Sequence, residues 1–151
     1  MLVYKKGNAV SAKVDKDCQL LLHVANCQGK MASGIAKEIR ERVPEAYNVY
    51  KEVEEERGLT LGTVSSAKGV VNLHAQKYYG YDGERYLDYE ALAKSLERVK
   101  EVLDTSGIKS GAKIAVPHLM GCDRAGGAWK IVEAMLEHYL GEHQINIYSL
   151  K

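Results

Sequence analysis

Gln19-Leu20-Leu21-Leu22-His23-Val24-Ala25 runs straight into Asn26-Cys27-Gln28-Gly29-Lys30-Met31-Ala32-Ser33 and then into Gly34-Ile35-Ala36. A continuous apolar run broken by a single histidine reads as a strand buried on both faces, the kind a parallel sheet between helices requires. The polar, glycine-bearing stretch 26–33 reads as a loop. From Gly34 the apolar residues Ile35, Ala36, Ile39 and Val43 follow helical spacing. Strand, loop and helix in this order are the first half of a βαβ unit, and the rest of the chain repeats the alternation.

Before this stretch, Leu2 to Lys5 forms a short strand candidate closed by Gly7-Asn8. After it, Pro44 ends the first helix or opens another, since proline is tolerated at a first helical position. Tyr47, Tyr50 and Val53 share a face, and Gly58 stops that helix. Leu61–Ser65 and Gly69–Gln76 are strand candidates. In the second, Asn72, His74 and Gln76 alternate with Val71, Leu73 and Ala75, so one face is polar, and exposure on an edge strand explains that as well as a functional role does. Residues 77–87 read as a tyrosine-rich loop. Asp88 caps a helix with Leu92, Leu96, Val99 and Leu103 on one stripe and Gly107 past its end. Lys113–Val116 is a buried strand stopped by Pro117, and 118–127 is a loop. Trp129, Val132, Leu136 and Tyr139 mark the last helix, and Gln144–Leu150 the last strand. The expected fold class is α/β: three layers, with helices on both faces of a mixed, mostly parallel sheet, in one domain over 1–151.

Composition narrows the function classes. Lys and Arg total 21 against 20 Asp and Glu, a formal net charge of +1, so no dedicated nucleic-acid surface is evident. A small phosphate ligand is not excluded. The longest apolar run is too short for a membrane span, which needs about 20 residues. Three cysteines, Cys18, Cys27 and Cys122, form no C-x-x-C pair and no disulfide framework, so a cytoplasmic location is expected. Phe is absent and Tyr occurs ten times, so tyrosine carries the aromatic packing.

In sheets of this kind ligands bind beyond the C-terminal strand ends. Two loops there bring small residues to a helix start: Asn26 to Ala36, and Pro117-His118-Leu119-Met120-Gly121-Cys122-Asp123-Arg124-Ala125-Gly126-Gly127. Small residues admit a ligand to the backbone, and free N–H groups at a helix start favour an anion. Two such entrances could hold a diphosphate between them. Neither is a Walker A loop or a G-x-G-x-x-G fingerprint, and plain turns account for the glycines equally well.

The pattern as a whole resembles the macro domain, a fold that binds ADP-ribose. Lys6-Gly7-Asn8 matches the family's Gly-Asp or Gly-Asn after the first strand. Leu22-His23-Val24-Ala25-Asn26-Cys27 with Met31-Ala32-Ser33-Gly34-Ile35-Ala36 resembles the "H-x-x-N-C…M-G-x-G-I-A" segment of the ADP-ribose 1″-phosphate phosphatase branch. Pro117 to Trp129 is similar to "P-x-x-I-G-C-G-L-A-G-G-D-W" of small phage and bacterial members, and Tyr148-Ser149-Leu150 to their chain end. Asn72-Leu73-x-x-Gln76 and Tyr86-x-Asp88-Tyr89-Glu90-Ala91-Leu92 add to the match.

The resemblance implies roles. Asn8 would meet the adenine amino group through its amide oxygen, and Tyr148 and Leu150 would wall the adenine. Met31, Ala32, Ser33, Gly34, Ile35 and Ala36 would run beside the diphosphate and distal ribose. Pro117, Leu119, Gly121, Cys122, Asp123, Arg124 and Gly126 would cover them from the other side. Asn26 would hold a ribose hydroxyl and orient a water. Asp123 is the candidate general base, with His118 behind it. Relatives carry G-C-G-L where this chain has Gly121-Cys122-Asp123-Arg124, and G-G-D-W where it has Gly126-Gly127-Ala128-Trp129. Relatives that strip ADP-ribose from protein glutamates use a lysine where this strand ends in Gln76. Lys77 would point to the opposite face if the strand continued.

Plainer roles compete. His23 reads as a hydrogen-bonded core residue as well as a catalyst, and Cys27 and Cys122 as small fillers. Tyr78, Tyr79 and Tyr81 either border the site or pack on one another. His118-x-x-x-Cys122 matches no common zinc spacing, so no metal and no cofactor are expected. The resemblance makes a hydrolase that removes the 1″-phosphate of ADP-ribose 1″-phosphate the leading expectation; the alternatives are a module that binds ADP-ribose or ADP-ribosylated macromolecules without cleaving them, and a hydrolase that removes ADP-ribose from modified protein or nucleic acid.

Overall fold

A computed structural model describes residues 1–78, 86–122 and 125–150. Among these the chain runs β1 (Leu2–Lys6), α1 (Ala9–Val14), β2 (Leu20–Asn26), α2 (Gly34–Arg42), α3 (Pro44–Arg57), β3 (Val64–Ala67), β4 (Val70–Gln76), α4 (Tyr89–Thr105), β5 (Lys113–Pro117), α5 (Trp129–Leu140) and β6 (Gln144–Ser149). The strands form one sheet in the order β1-β6-β5-β2-β4-β3. Every pairing is parallel except β3 with β4. That exception has a local cause. Lys68 and Gly69, both at positive φ (54° and 76°), join the two strands, and a two-residue turn of this hand matches the twist of an antiparallel pair.

The apolar run of β2 is explained by helices on both sides. Leu22 faces one core with Val71, Leu73, Ile114, Val116, Ile145 and Ile147, covered by α4 and α5. Leu21 faces the other with Val70 and Ala115, covered by α1 and α2, while Ala25 packs against Met31 and Tyr50. Burying the leucines of β2 and the stripe Leu92, Leu96, Val99 and Leu103 of α4 stabilises the fold by about 1.5–3 kcal/mol for each large side chain. No helix among the described residues is long and apolar enough to cross a membrane.

One element is added and two expectations change. The segment after Asn8 forms a helix, α1, too short to show a period in sequence. The strand expected at Leu61–Ser65 starts at Val64, because Gly62, at φ 90°, turns the chain and donates its N–H to the His74 carbonyl. The polar face of β4 does not lie on an edge. β3 flanks it, and Asn72 and His74 are fully buried beneath α3.

Candidate functional site

Five parallel strands end at the same edge of the sheet, so Asn8, Ser149, Pro117, Asn26 and Gln76, at or just past their C-termini, come together there. Between them opens a cleft of about 900 Å³. It receives Asn8, Asn26, Met31, Ala32, Ser33, Gly34, Ile35, Ala36, Pro117, His118, Leu119, Gly121, Tyr148 and Leu150, all named from sequence. Cys122 and Gly126 do not line it. The Cys122 thiol turns toward the Met120 carbonyl (3.5 Å), where burial pushes its pKa up to about 11, and Gly126 is exposed. Cys122 is therefore a filler. Asp123, Arg124, Tyr79 and Tyr81 lie outside the described residues.

Only one of the two expected helix entrances belongs to the cleft. At α2 the chain enters through extended Ser33 and Gly34 at φ 60°. A Cβ on Gly34 would meet nothing within 4 Å among the described residues, and the Ser33 side chain does not cap α2, so the helix entrance offers N–H groups and space to a ligand. The start of α5 is not part of the lining, and the Ala128 N–H there donates to the Tyr89 hydroxyl (2.7 Å).

The loop between β2 and α2 is wired by Asn26. Its Oδ1 accepts from the N–H groups of Gln28 (3.0 Å) and Lys30 (3.2 Å) and lies 3.0 Å from the Tyr50 hydroxyl. Its Nδ2 donates to the Lys30 carbonyl (2.8 Å). Tyr50, fully buried on α3, also donates to the Asn26 carbonyl, and burial holds its phenol well above the usual range. From the same helix Lys51 donates to the Gly29 carbonyl (3.2 Å), and the Glu54 carboxylate covers Gly29, where a Cβ would overlap it. An amide oxygen with these donors has no capacity left for a water, so any hold on a ligand runs through the second Nδ2 hydrogen.

Asn8 is committed in part. Its Oδ1 accepts from the Ser11 N–H (2.8 Å) and caps α1, which leaves one of its two acceptor sites for an adenine amino group. Its Nδ2 donates to Glu38 (3.0 and 3.1 Å), and Glu38 also accepts from Arg42 (2.8 Å). Glu38 lines the cleft, as do Lys30 and Gln76. The sequence reading did not assign them. The available signal for Glu38 was its place one helical turn beyond Gly34, on the same face. His118 is framed edge-on by Tyr4 (6.0 Å between centroids) and Trp129 (5.2 Å), and the Trp129 indole donates to the Tyr4 hydroxyl (2.9 Å). As strand alternation implies, Lys77 lies outside the cleft.

From exposed Thr63 a polar chain runs inward to His23, at the floor of the cleft. Thr63 donates to the Thr60 carbonyl (2.6 Å) and so accepts from His74 Nδ1 (2.8 Å). Ser65 then donates to His74 Nε2 (2.9 Å) and accepts from Asn72 Nδ2 (3.0 Å), while Asn72 Oδ1 accepts from His23 Nε2 (2.5 Å). Burial pushes both His23 and His74 down to about 4, keeping the rings neutral. His23, fully buried and bonded to Asn72, is thus a neutral ring in the floor of the cleft. Among the described residues no three His, Cys, Asp or Glu side chains gather as a metal site would require.

No protein-family model matches the chain. Over 145 residues it is 27% identical to the DNA ADP-ribosyl glycohydrolases of Mycobacterium tuberculosis and Mycobacterium bovis BCG, a match covering 90% of this chain and 38% of theirs. The chain thus spans about two-fifths of the length of these curated relatives. The macrodomain of Mycobacterium tuberculosis DarG superposes with a TM-score of 0.77 at 24% identity, over 98% of this chain and 97% of that one. The chain has the macrodomain fold. Thermosipho africanus DarTG, solved in complex with ADP-ribose, superposes with a TM-score of 0.75 at 21% identity, over 97% of this chain and 41% of that one. In this macrodomain fold the cleft at the parallel strand ends is the concave site the architecture offers.

Proposed function

We propose that the protein binds ADP-ribose in this cleft and hydrolyses the bond at C1″ of the distal ribose, releasing ADP-ribose from a DNA base. The observation that carries the reading is the cleft itself. Its volume of about 900 Å³ suits a nucleotide-sugar. Tyr148, Leu150 and Ile35 offer apolar walls to the adenine, the open entrance of α2 offers N–H groups to the diphosphate, and Asn26 and Gln76 lie where the distal ribose would end. The likeness to the mycobacterial DNA ADP-ribosyl glycohydrolases supports ADP-ribosylated DNA as the substrate, and the ADP-ribose in the Thermosipho structure supports the ligand.

In the proposed step a water attacks C1″. Its oxygen forms the new bond, the bond to the base breaks with its electron pair on the leaving nitrogen, and a protein base takes the water's proton. Asp123 is the proposed base and His118 the second candidate. The loop wired by Asn26 fixes the ribose, so catalysis is chiefly positional. A second reading, hydrolysis of ADP-ribose 1″-phosphate, is favoured by the Leu22 to Cys27 segment.

Calorimetry with ADP-ribose, then parallel assays of ADP-ribose release from a base-modified oligonucleotide and of phosphate release from the 1″-phosphate, test both. Release from the oligonucleotide, lost 10²–10⁴-fold in Asp123→Asn, is the expected result. Phosphate release alone selects the second reading. Binding without turnover makes the protein a module that reads ADP-ribose, and absence of binding removes the proposal.

A further inference from the structure

A second cavity, about 450 Å³, lies on the other side of one wall of the cleft. The wall is built from Gln76 and Leu87, which form an isolated β-bridge. Gln76 lines the cleft, whereas the next residue, Lys77, lines the second cavity. Leu87 lines the second cavity and packs behind Gly121 of the cleft, where an added Cβ would stand 3.0 Å from its side chain. The second cavity therefore opens beside the end of the cleft assigned to the distal ribose.

Its walls are aromatic. Tyr78, Tyr86 and Tyr89 line it with Leu61. Tyr78 is 50% exposed, and the Lys77 ammonium stands 5.4 Å from its ring centre. Tyr89 is held in place by the Ala128 N–H on its hydroxyl, and the Tyr86 backbone N–H is bound to the Ala125 carbonyl (2.7 Å). The remaining lining is acidic: Asp88, whose side chain caps α4, and Glu90, 3.5 Å from Lys94. Two carboxylates disfavour a phosphate or an acidic peptide inside the cavity. They do not oppose a neutral, flat ring, and an exposed aromatic ring such as that of Tyr78 is what such a ring stacks on.

We propose that this tyrosine-lined cavity is a nucleobase subsite, which takes the base joined to the distal ribose or its neighbour in single-stranded DNA. The proposal rests on the reading that the cleft holds ADP-ribose. It adds a recognition element for the leaving group, with Tyr78 as the stacking platform and Lys77 at the rim for the adjoining phosphate. Tyr78 and Lys77 do not line the ADP-ribose cleft, so the two sites are separable by mutation.

The test measures KM and kcat on a short single-stranded oligonucleotide carrying one base-linked ADP-ribose, alongside the Kd of free ADP-ribose. Tyr78→Ala should raise KM on the oligonucleotide at least tenfold, leave kcat within twofold, and leave the Kd of ADP-ribose and the melting temperature unchanged. Tyr78→Phe should restore KM. A glutamate-linked ADP-ribosyl peptide should show no dependence on Tyr78. An unchanged KM in Tyr78→Ala overturns the subsite alone, as does a parallel loss of ADP-ribose affinity or an equal effect on the peptide. If wild-type protein fails to bind ADP-ribose at all, the reading of the cleft falls first and the subsite with it.

Discussion

At the scale of single residues the cleft is organised by amides whose partners come from distant helices. Asn26→Ala removes the acceptor for the Gln28 and Lys30 N–H groups and a partner of the Tyr50 hydroxyl. An unsatisfied buried donor costs about 1–3 kcal/mol. The variant should therefore lose ADP-ribose affinity together with turnover, because the loop itself is undone, and its melting temperature should fall by several degrees. Calorimetry and a thermal melt check this, and unchanged stability with lost turnover would instead give Asn26 a direct chemical role. The buried histidines make a second prediction. An unfolded histidine titrates near pH ~6.5, whereas His23 and His74 are held down to about 4, in both by burial first. The unfolded chain then binds more protons than the folded one across that window. Stability is fully present above pH ~6.5 and is lost as the pH falls through about 4, by on the order of 3 kcal/mol for each ring. Urea unfolding at pH 7.5, 6, 5 and 4.5 should show a steady decline, made shallower by His74→Gln; a flat profile would refute it. That Asn8 and Asn26 stand at the strand ends where the cleft opens was legible in sequence. What their atoms do was not, since Glu38 and Tyr50 reach them across 30 and 24 residues.

At the scale of elements, the start of α2 is where sequence and structure agree most closely. Small residues at a strand-to-helix turn are visible as letters, and the open approach to the helix follows from them. Gly34→Glu places a carboxylate at the entrance proposed for the diphosphate. It should lower ADP-ribose affinity at least tenfold, about 1.4 kcal/mol. Because Gly34 is at φ 60°, any side chain also strains the backbone by about 1–2 kcal/mol. Gly34→Ala supplies that strain without the charge. A fall in affinity confined to the glutamate variant supports the anion site, and equal falls in both would assign the loss to backbone strain. Elsewhere the elements were less legible. Polar alternation in β4 reads the same whether that face meets water or the buried partners Ser65, His23 and the Ala46 carbonyl. The entrance of α5 resembles that of α2 in sequence, yet the Ala128 N–H is given to Tyr89, 39 residues away.

At the scale of the whole molecule the layering was legible from alternating strands and helices, but the strand order was not. β1 pairs with β6 across almost the full chain, Leu2 opposite Ile145, and no local pattern encodes which strand end becomes a neighbour. That order is nevertheless what makes the cleft, since it gathers segments near residues 8, 26, 76, 117 and 149 at one edge. A ligand bridging those segments ties together parts of the chain that loop closure must otherwise hold. ADP-ribose should accordingly raise the melting temperature of the entire domain in one cooperative transition. At a hundred times Kd the stabilisation is about 2.7 kcal/mol, which for a chain of this length is about 5–10 °C. AMP, which lacks the distal ribose and one phosphate, engages fewer of those segments and should shift it less at equal concentration. Differential scanning fluorimetry across a concentration series of both nucleotides measures this. A positive shift that follows the calorimetric Kd, larger for ADP-ribose, is the expected outcome. No shift at millimolar ADP-ribose would mean that the shared edge of the sheet does not bind it, however well the fold provides for it.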